Sequence, residues 1–195
     1  MRAKAVAGGG KEAHASGEFA LSMGGFSGLA SNLYSTSLGG GEADASGVTS
    51  VAIGGLRGLA SGSYATCIGG EDNEALGVAS SVSGGEDNTA ANYLASVSGG
   101  RKNYASGRSS SILGGKENLA TGDYSIIAGG QLNLTLGEHA AITGGYSNLV
   151  GGLTAVAVGG SGNTASGNYS VVSGGANRST SGGYDWQAGA LFQTN

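Results

Sequence analysis

The chain has 195 residues, with 42 glycines, no proline, 11% charged side chains and a formal net charge of −4. Glycine this frequent without proline is typical neither of collagen nor of a proline-rich linker, and the 39% hydrophobic content argues against disorder. Because there is no basic excess to neutralise phosphates, we do not expect binding to nucleic acid.

The N-terminal stretch MRAKAVAGGGKEAHA has a basic end but no apolar core of signal-peptide length. No segment approaches the roughly 18 consecutive apolar residues of a membrane span. We therefore expect a soluble chain that does not insert into a membrane. If it is exported, we expect the signal to lie upstream in a longer precursor, or export to use another route.

The chain divides into thirteen rows of fifteen residues with no remainder. Counting positions 1 to 15 from Met1, position 9 is glycine in all thirteen rows, position 10 in twelve and position 2 in ten. The consensus is S-G-x-Y-S-x-V-x-G-G-x-x-N-x-A, without insertions. Self-similarity at a fixed short period is the signature of a repeat architecture.

Each row predicts two short strands. Positions 4 to 8 are rich in Val, Ile, Tyr, Ser and Ala and end at Gly-Gly, and positions 12 to 15 end at Ser-Gly. Two strands and two glycine turns describe one coil of a parallel β-solenoid, or β-roll, with a rise of about 4.8 Å per coil. We therefore predict a single all-β domain of thirteen 15-residue coils.

Both faces of the first predicted strand carry apolar residues. Rows 4 and 5 have VAIGG and TCIGG, with larger side chains at positions 6 or 8, whereas rows 6 and 7 have SVSGG with the larger residue at position 7. A thin roll covers only one face with its own second strand. We therefore expect copies of the same chain to pack around an axis and cover the other face.

Charged side chains mark the outside of the predicted roll, since 18 of 22 lie at positions 3, 11, 12 and 14. Rows 5 and 6 place carboxylates above carboxylates, and row 7 follows with two cations. A solvated acidic band and a cation-holding site both fit this pattern. The residues of the band and its flanking cations are Glu71, Asp72, Glu86, Asp87, Arg101 and Lys102.

Position 13 is asparagine in seven consecutive rows, from Asn73 to Asn163. Stacked amides that hydrogen-bond along the rod and side chains that cap their own turns are both consistent with this column. Tyrosine recurs at position 4, where coil-edge packing is expected. Tyr104 and Tyr146 lie at charged positions instead, and we expect them to be surface contacts for glycans or proteins.

No catalytic or cofactor site is expected. His14 and His139 lie nine coils apart, roughly 40 Å, so they cannot share a site in one chain. Cys67 falls at position 7, between Ala52 and Val82 in the neighbouring rows, and is expected to be a small buried residue. The glycines lack phosphate-loop spacing, and no metal motif is present.

The last row departs from the consensus with Asp185, Trp186, Leu191 and Phe192. Repeat arrays need their open ends protected. We expect residues 1–180 to form twelve regular repeats and residues 181–195 to form a C-terminal cap.

The stretches SVAIGGLRGLASG at 50–62 and ATCIGGEDNEALG at 65–77 resemble the head repeats of trimeric autotransporter adhesins, the YadA-like heads. The resemblance covers essentially the whole chain, although this unit is one residue longer and has Gly-Gly where the family usually has one glycine. It implies a left-handed roll and a homotrimer. Similar arrays also resemble phage-like fibre repeats.

These observations predict a non-enzymatic structural or adhesive segment of a trimeric bacterial surface or phage-like fibre, located outside the cell. Its variable positions would contact a cell-surface protein or glycan. An ice-binding solenoid, a purely spacer solenoid and a repeat domain of a polysaccharide-active enzyme are the alternatives. Ice binding needs a regular threonine array, and Thr36, Thr66 and Thr143 form none.

Overall fold

The computed structural model describes residues 4–189, and every regular element among them is a β-strand. The strands form two parallel sheets with thirteen and twelve members. The first sheet contains β1 (Val6–Gly8), β3 (Leu21–Met23), β5 (Thr36–Leu38), β7 (Val51–Ile53), β9 (Thr66–Ile68), β11 (Ser81–Val82), β13 (Ser96–Val97), β15 (Ser111–Ile112), β17 (Ile126–Ile127), β19 (Ala141–Ile142), β21 (Val156–Ala157), β23 (Val171–Val172) and β25 (Trp186–Gln187). The second contains β2 (His14–Ala15), β4 (Leu29–Ala30), β6 (Asp44–Ala45), β8 (Leu59–Ala60), β10 (Glu74–Ala75), β12 (Thr89–Ala90), β14 (Tyr104–Ala105), β16 (Leu119–Ala120), β18 (Leu134–Thr135), β20 (Leu149–Val150), β22 (Thr164–Ala165) and β24 (Ser179–Thr180).

Every strand pairs with the strand fifteen residues away, in constant register. Val82 pairs with Val97 in the first sheet, and Ala75 pairs with Ala90 in the second. A column of single bridges at position 11, such as Tyr146 with Ser161, links the coils at a third point. The prediction of a parallel β-solenoid with one 15-residue row per coil is confirmed.

The strands are shorter than the sequence predicts. The first strand begins at position 6 instead of 4, and the second at position 14 instead of 12. The reason is that positions 4 and 12 adopt left-handed backbone conformations in nearly every coil, as at Tyr124 (φ 57°) and Glu117 (φ 56°). A left-handed residue turns the chain and cannot continue a strand.

The core is a narrow column of small side chains. Positions 5, 7, 13 and 15 point inward, and Ala60, Val82 and Ile127 are fully buried. Positions 6, 8 and 14 point outward, so burial alternates along each short strand as the pleat requires. One inward side chain per strand therefore fills the space between the two sheets.

The close approach of neighbouring coils favours glycine at two positions, although Asn32 and Asn92 occupy the first of them in two coils. A Cβ atom added at Gly122, in position 2, would lie 2.0 Å from the carbonyl oxygen of Gly137. At Gly115, in position 10, it would lie 2.2 Å from the oxygen of Gly130, and φ is +93° there. Glycine at these positions thus permits inter-coil contact as well as turn geometry.

The C-terminal row continues the first sheet. Trp186 and Gln187 pair with Val171 and Val172, and the Trp186 indole N–H donates to Ser173 Oγ at 2.8 Å. The part of the predicted cap that contains Leu191 and Phe192 lies outside the described residues. Within residues 4–189 no helix has the length and apolar character needed to cross a membrane.

Candidate functional site

The predicted acidic band lies on the position-11 and position-12 turn. Glu71 pairs with Glu86, which in turn pairs with Arg101, so the columns stack in register as the sequence predicts. Asp72 and Asp87 both adopt left-handed φ, near 54–55°. The sequence therefore correctly places carboxylates one coil apart, with cations on the following coil.

A cation on the preceding coil, Arg57, also belongs to this site, although the charge pattern of rows 5 to 7 did not indicate it. Its Nη2 donates to Glu71 Oε1 at 2.9 Å and to Asp72 Oδ2 at 2.5 Å, and its Nε also donates to Asp72. The hydrogen bonds from Arg57 hold the pKa of Asp72 below its ordinary value. Arg57 and Asp72 both lie at position 12 of adjacent rows, and this spacing of fifteen residues could have indicated the ion pair. Among residues 4–189, no group of three or more His, Cys, Asp or Glu residues is placed to hold a metal ion.

A shallow open groove of about 370 Å³ adjoins this band. Burial raises the pKa of Asp44 above its ordinary value, an effect that a hydrogen bond with Ser46 partly offsets. Oδ1 of Asp44 is buried and has no hydrogen-bond partner. The groove is lined by Glu42, Asp44, Arg57, Gly58, Leu59, Asp72 and Glu74. The lining of the groove therefore combines four carboxyl groups with one guanidinium, and this guanidinium, of Arg57, pairs with Asp72.

The buried asparagines at position 13 both cap their own turns and hydrogen-bond to the next coil, as the sequence suggests. Asn88 Nδ2 donates to the oxygen of Gly84 in its own turn at 3.0 Å and to Gly100 in the next coil at 2.9 Å. Its Oδ1 accepts the backbone N–H of Asn103 at 3.0 Å. The seven asparagines are buried, so this column stabilises the rod and is not available to a ligand.

The aromatic side chains are a surface feature. Tyr104 and Tyr146 are 43% and 49% exposed, as their charged positions predict, and their role in contacting a ligand stays a prediction. The position-4 rings are equally exposed, and those on adjacent coils stack, for example Phe19 on Tyr34 with centroids 5.0 Å apart. Coil-edge packing was expected at position 4, whereas the neighbouring rings stack on one another. Two further stacks join Tyr124 to His139 and Tyr169 to Tyr184.

The outward face of the first sheet is apolar at both ends and polar between them. Met23 and Ile68 in the N-terminal half, and Leu113 and Val158 in the C-terminal half, are 41–52% exposed in the single chain. The intervening coils present serines at positions 6 and 8, such as Ser96 and Ser98. Exposed apolar side chains arranged along one face are typical of a contact surface.

The remaining reactive side chains do not form a site. Cys67 is buried, its thiol donates to the oxygen of Asn73, and burial raises its pKa to about 11. Its register neighbours are Ala52 and Val82, as predicted. His139 stacks on Tyr124 and lies 3.5 Å from Glu138.

The chain was compared with protein-family models and with curated proteins. No protein-family model matches the chain, and no curated protein matches it. The function is therefore argued from three surfaces: the outward face of the first sheet, the acidic band and the position-4 aromatic column.

Proposed function

We propose that this chain is a non-enzymatic structural and adhesive segment of a trimeric fibre on a bacterial surface or phage-like particle. In this proposal three solenoids pack around an axis, and the fibre lies outside the cell. The resemblance of residues 50–77 to YadA-like head repeats supports the same assembly. The turns then contact a cell-surface protein or glycan.

The exposed apolar face of the first sheet carries the proposal. Leu113 is 52% exposed, Ile126 is 40% exposed and Val158 is 49% exposed, although each belongs to a regular strand or follows one directly. Burying such side chains contributes about 25 cal/mol per Å². Because the core of each coil consists mostly of small residues, burial of this outer face would stabilise the thin rod substantially.

The rigid frame suits the presentation of variable side chains. Backbone hydrogen bonds fix each described coil against the next, and the asparagine column reinforces the coils from Asn73 to Asn163. Positions 3, 11, 12 and 14 differ between rows. Three copies of each turn would multiply weak contacts. Tyr104, Tyr146 and the acidic band lie on these variable positions.

No observation favours ice binding. At position 6 the residues after Thr36 are Val51, Thr66 and Ser81, so threonine forms no continuous ladder. A purely spacer role differs from the adhesive one only in the absence of a ligand, and binding measurements separate the two.

Lysine substitutions on the outward face test the assembly. We expect Ile68→Lys and Leu113→Lys each to shift the chain from trimer to monomer on a sizing column, because a buried unpaired ammonium is costly. The matched control is Leu132→Lys, since Leu132 lies at position 12 on a turn and is equally exposed, at 41%. If all three variants retain the mass of the unmodified chain, the outward face is not the assembly surface.

A further inference from the structure

The position-4 column contains two interruptions with a shared pattern. Among the described residues, 23 non-glycine residues have left-handed φ, and only Thr49 (φ 56°) and Thr154 (φ 55°) are β-branched. Each of them lies between two aromatic residues. Tyr34 and Tyr64 flank Thr49, and His139 and Tyr169 flank Thr154. We call these the N-terminal cleft and the C-terminal cleft.

Backbone hydrogen bonds fix the spacing within each cleft. The N–H of Thr49 donates to Leu33 at 2.8 Å, and the N–H of Tyr64 donates to Val48 at 2.8 Å. The C-terminal cleft has the same bonds, from Thr154 to Glu138 and from Tyr169 to Leu153. The two aromatic residues form the walls of each cleft and the threonine between them forms its floor. These three residues therefore belong to three successive coils that backbone hydrogen bonds hold in register.

The distance between the walls follows from the stacked pairs. Rings on adjacent coils have centroids 5.0–5.1 Å apart and lie within 13° of parallel. Rings two coils apart are thus separated by about 10 Å, with a short threonine side chain between them. The centroid of a ring inserted above the threonine would lie about 5 Å from the centroid of each wall, which is the distance between stacked rings elsewhere in the column.

The clefts are accessible. Tyr34 is 52% exposed, Tyr64 is 62% exposed and the His139 side chain is 52% exposed. Tyr169 is 45% exposed, so both walls of each cleft face solvent. Exposed rings fixed on a rigid frame lose little conformational entropy on binding.

The threonines are an unfavourable choice for the fold alone. A β-branched side chain in the left-handed region is strained, and strain of this kind concentrates at functional sites. An aromatic residue at either place would join a continuous stack from Phe19 to Tyr64 or from Tyr124 to Tyr184. The chain instead has a gap at both places.

We propose that each cleft binds one pyranose ring of a glycan between its two aromatic walls. This inference deepens the proposed adhesive function by naming its ligand class and its site, and rests on that function. A pyranose chair has C–H bonds on both faces and is thicker than a flat aromatic ring, so it fills the roughly 10 Å gap more completely. Its hydroxyl groups lie at its rim, within reach of the threonine hydroxyl on the floor.

The two clefts lie on the same column, 105 residues or seven coils apart. At about 4.8 Å per coil this separation is about 34 Å. Because the walls stack along the rod, a ring held between them directs its glycosidic bonds sideways, so two branches or two neighbouring chains can occupy the two clefts. A second bound ring of the same glycan raises the apparent affinity without new contact chemistry.

Fluorine NMR on the assembled protein labelled with 3-fluorotyrosine tests the proposal. The chain has eight tyrosines, each giving one signal to follow during titration with cellohexaose, chitohexaose and laminarihexaose. We expect at least one of these neutral oligosaccharides to shift the Tyr34, Tyr64 and Tyr169 signals. The signals of Tyr104 and Tyr146, outside the clefts, should shift less.

A filled-cleft variant separates binding from folding. We expect the double variant Thr49→Tyr and Thr154→Tyr to bind at least tenfold more weakly, with a melting temperature no lower than that of the unmodified chain. The matched control is Ser109→Tyr, which adds a ring at position 4 next to Tyr124 and fills neither cleft. It should bind as the unmodified chain does.

Three results would overturn the inference. These are no shift of the three signals with any oligosaccharide, unchanged binding by the filled-cleft variant, and shifts caused only by N-acetyltyrosinamide, which would indicate an aromatic side chain of a protein ligand. The mass of the same sample tests the assembly separately. A monomer that still shifts the cleft tyrosines would retain the glycan site and contradict the trimeric fibre.

Discussion

Asn103 donates twice to one oxygen atom of Asn88, through its backbone N–H at 3.0 Å and its Nδ2 at 3.1 Å. The same Nδ2 lies 3.0 Å from the carbonyl oxygens of Gly99 and Gly115. A buried amide with these partners is satisfied, and it links three coils at once. The column ends where the backbone N–H of Arg178 donates to Asn163.

Removing one amide from the middle of this column should destabilise the solenoid. Asn118→Ala leaves the oxygens of Gly114 and Gly130 and the N–H of Asn133 without their side-chain partner. The oxygen of Gly130 still accepts the backbone N–H of Lys116, so the groups left without a partner are the oxygen of Gly114 and the N–H of Asn133. Such groups cost about 1–3 kcal/mol each when buried, so we expect a loss of at least about 2 kcal/mol in the free energy of unfolding. Urea denaturation measures it.

Two companion variants identify the cause. Asn118→Asp keeps the shape but faces carbonyl oxygens with a carboxylate, and should be at least as destabilising at pH 7. Lys116→Ala, on the same turn, removes only an exposed ion pair with Glu117 and should change stability by less than about 0.5 kcal/mol. Equal losses for Asn118→Ala and Lys116→Ala would contradict a stabilising role for the column.

Two glycine-to-alanine variants in the same coil should behave oppositely. In Gly122→Ala the new Cβ would lie 2.0 Å from a backbone oxygen of the next coil, so the coils must shift and we expect the melting temperature to fall by at least about 4 °C. At Gly129 a Cβ meets no heavy atom within 4 Å and φ is not left-handed. Gly129→Ala should therefore leave the melting temperature within about 2 °C of the original. Similar behaviour of the two variants would contradict the described inter-coil spacing.

Asp44→Asn should stabilise the protein at neutral pH. Burial raises the folded-state pKa of Asp44, so folding disfavours its carboxylate at pH values above that pKa. The amide removes this cost, and the gain should vanish below the ordinary aspartate pKa, where Asp44 is protonated in both states. Since the side chain is only half-buried, we expect a rise of at most about 2–4 °C at pH 7. Thermal scans at pH 7 and pH 3 check this, and a gain that persists at pH 3 would exclude the ionisation of Asp44 as its cause.

Cys67 should not react with a thiol reagent while the chain is folded. Its pKa is raised to about 11, so almost no thiolate is present at pH 8, and the sulfur is buried. Cys67→Ser should be tolerated with a loss below about 1.5 kcal/mol, because Ser22 and Ser37 occupy the same position and donate to backbone oxygens at 3.0 and 2.9 Å. Rapid labelling by Ellman's reagent in native buffer would contradict the described core.

The constant period made most of the fold predictable. A unit of invariant length requires equivalent side chains to stack, so the pairing of Glu71 with Glu86 and the burial of Cys67 between Ala52 and Val82 follow from counting. The strand bounds did not follow, because Tyr, Glu and Arg at positions 4 and 12 carry no local signal for left-handed φ.

The contacts of long side chains were less predictable than the register. Arg57 reaches across a coil to Asp72, and Phe19 stacks on Tyr34. Both contacts depend on where the turn directs the side chain, which the period alone does not specify. The aromatic clefts became recognisable only when position 4 was placed on a single exposed column.

The molar mass of the unmodified chain in solution tests the central claim, that copies of the chain cover the outward face of the first sheet. Multi-angle light scattering on a sizing column gives it over a range of protein concentrations. The account predicts a mass of about 56 kDa, three times the 18.7 kDa of one chain. A mass of 18.7 kDa at every concentration would contradict it, because Ile68, Leu113 and Val158 would then remain exposed to water.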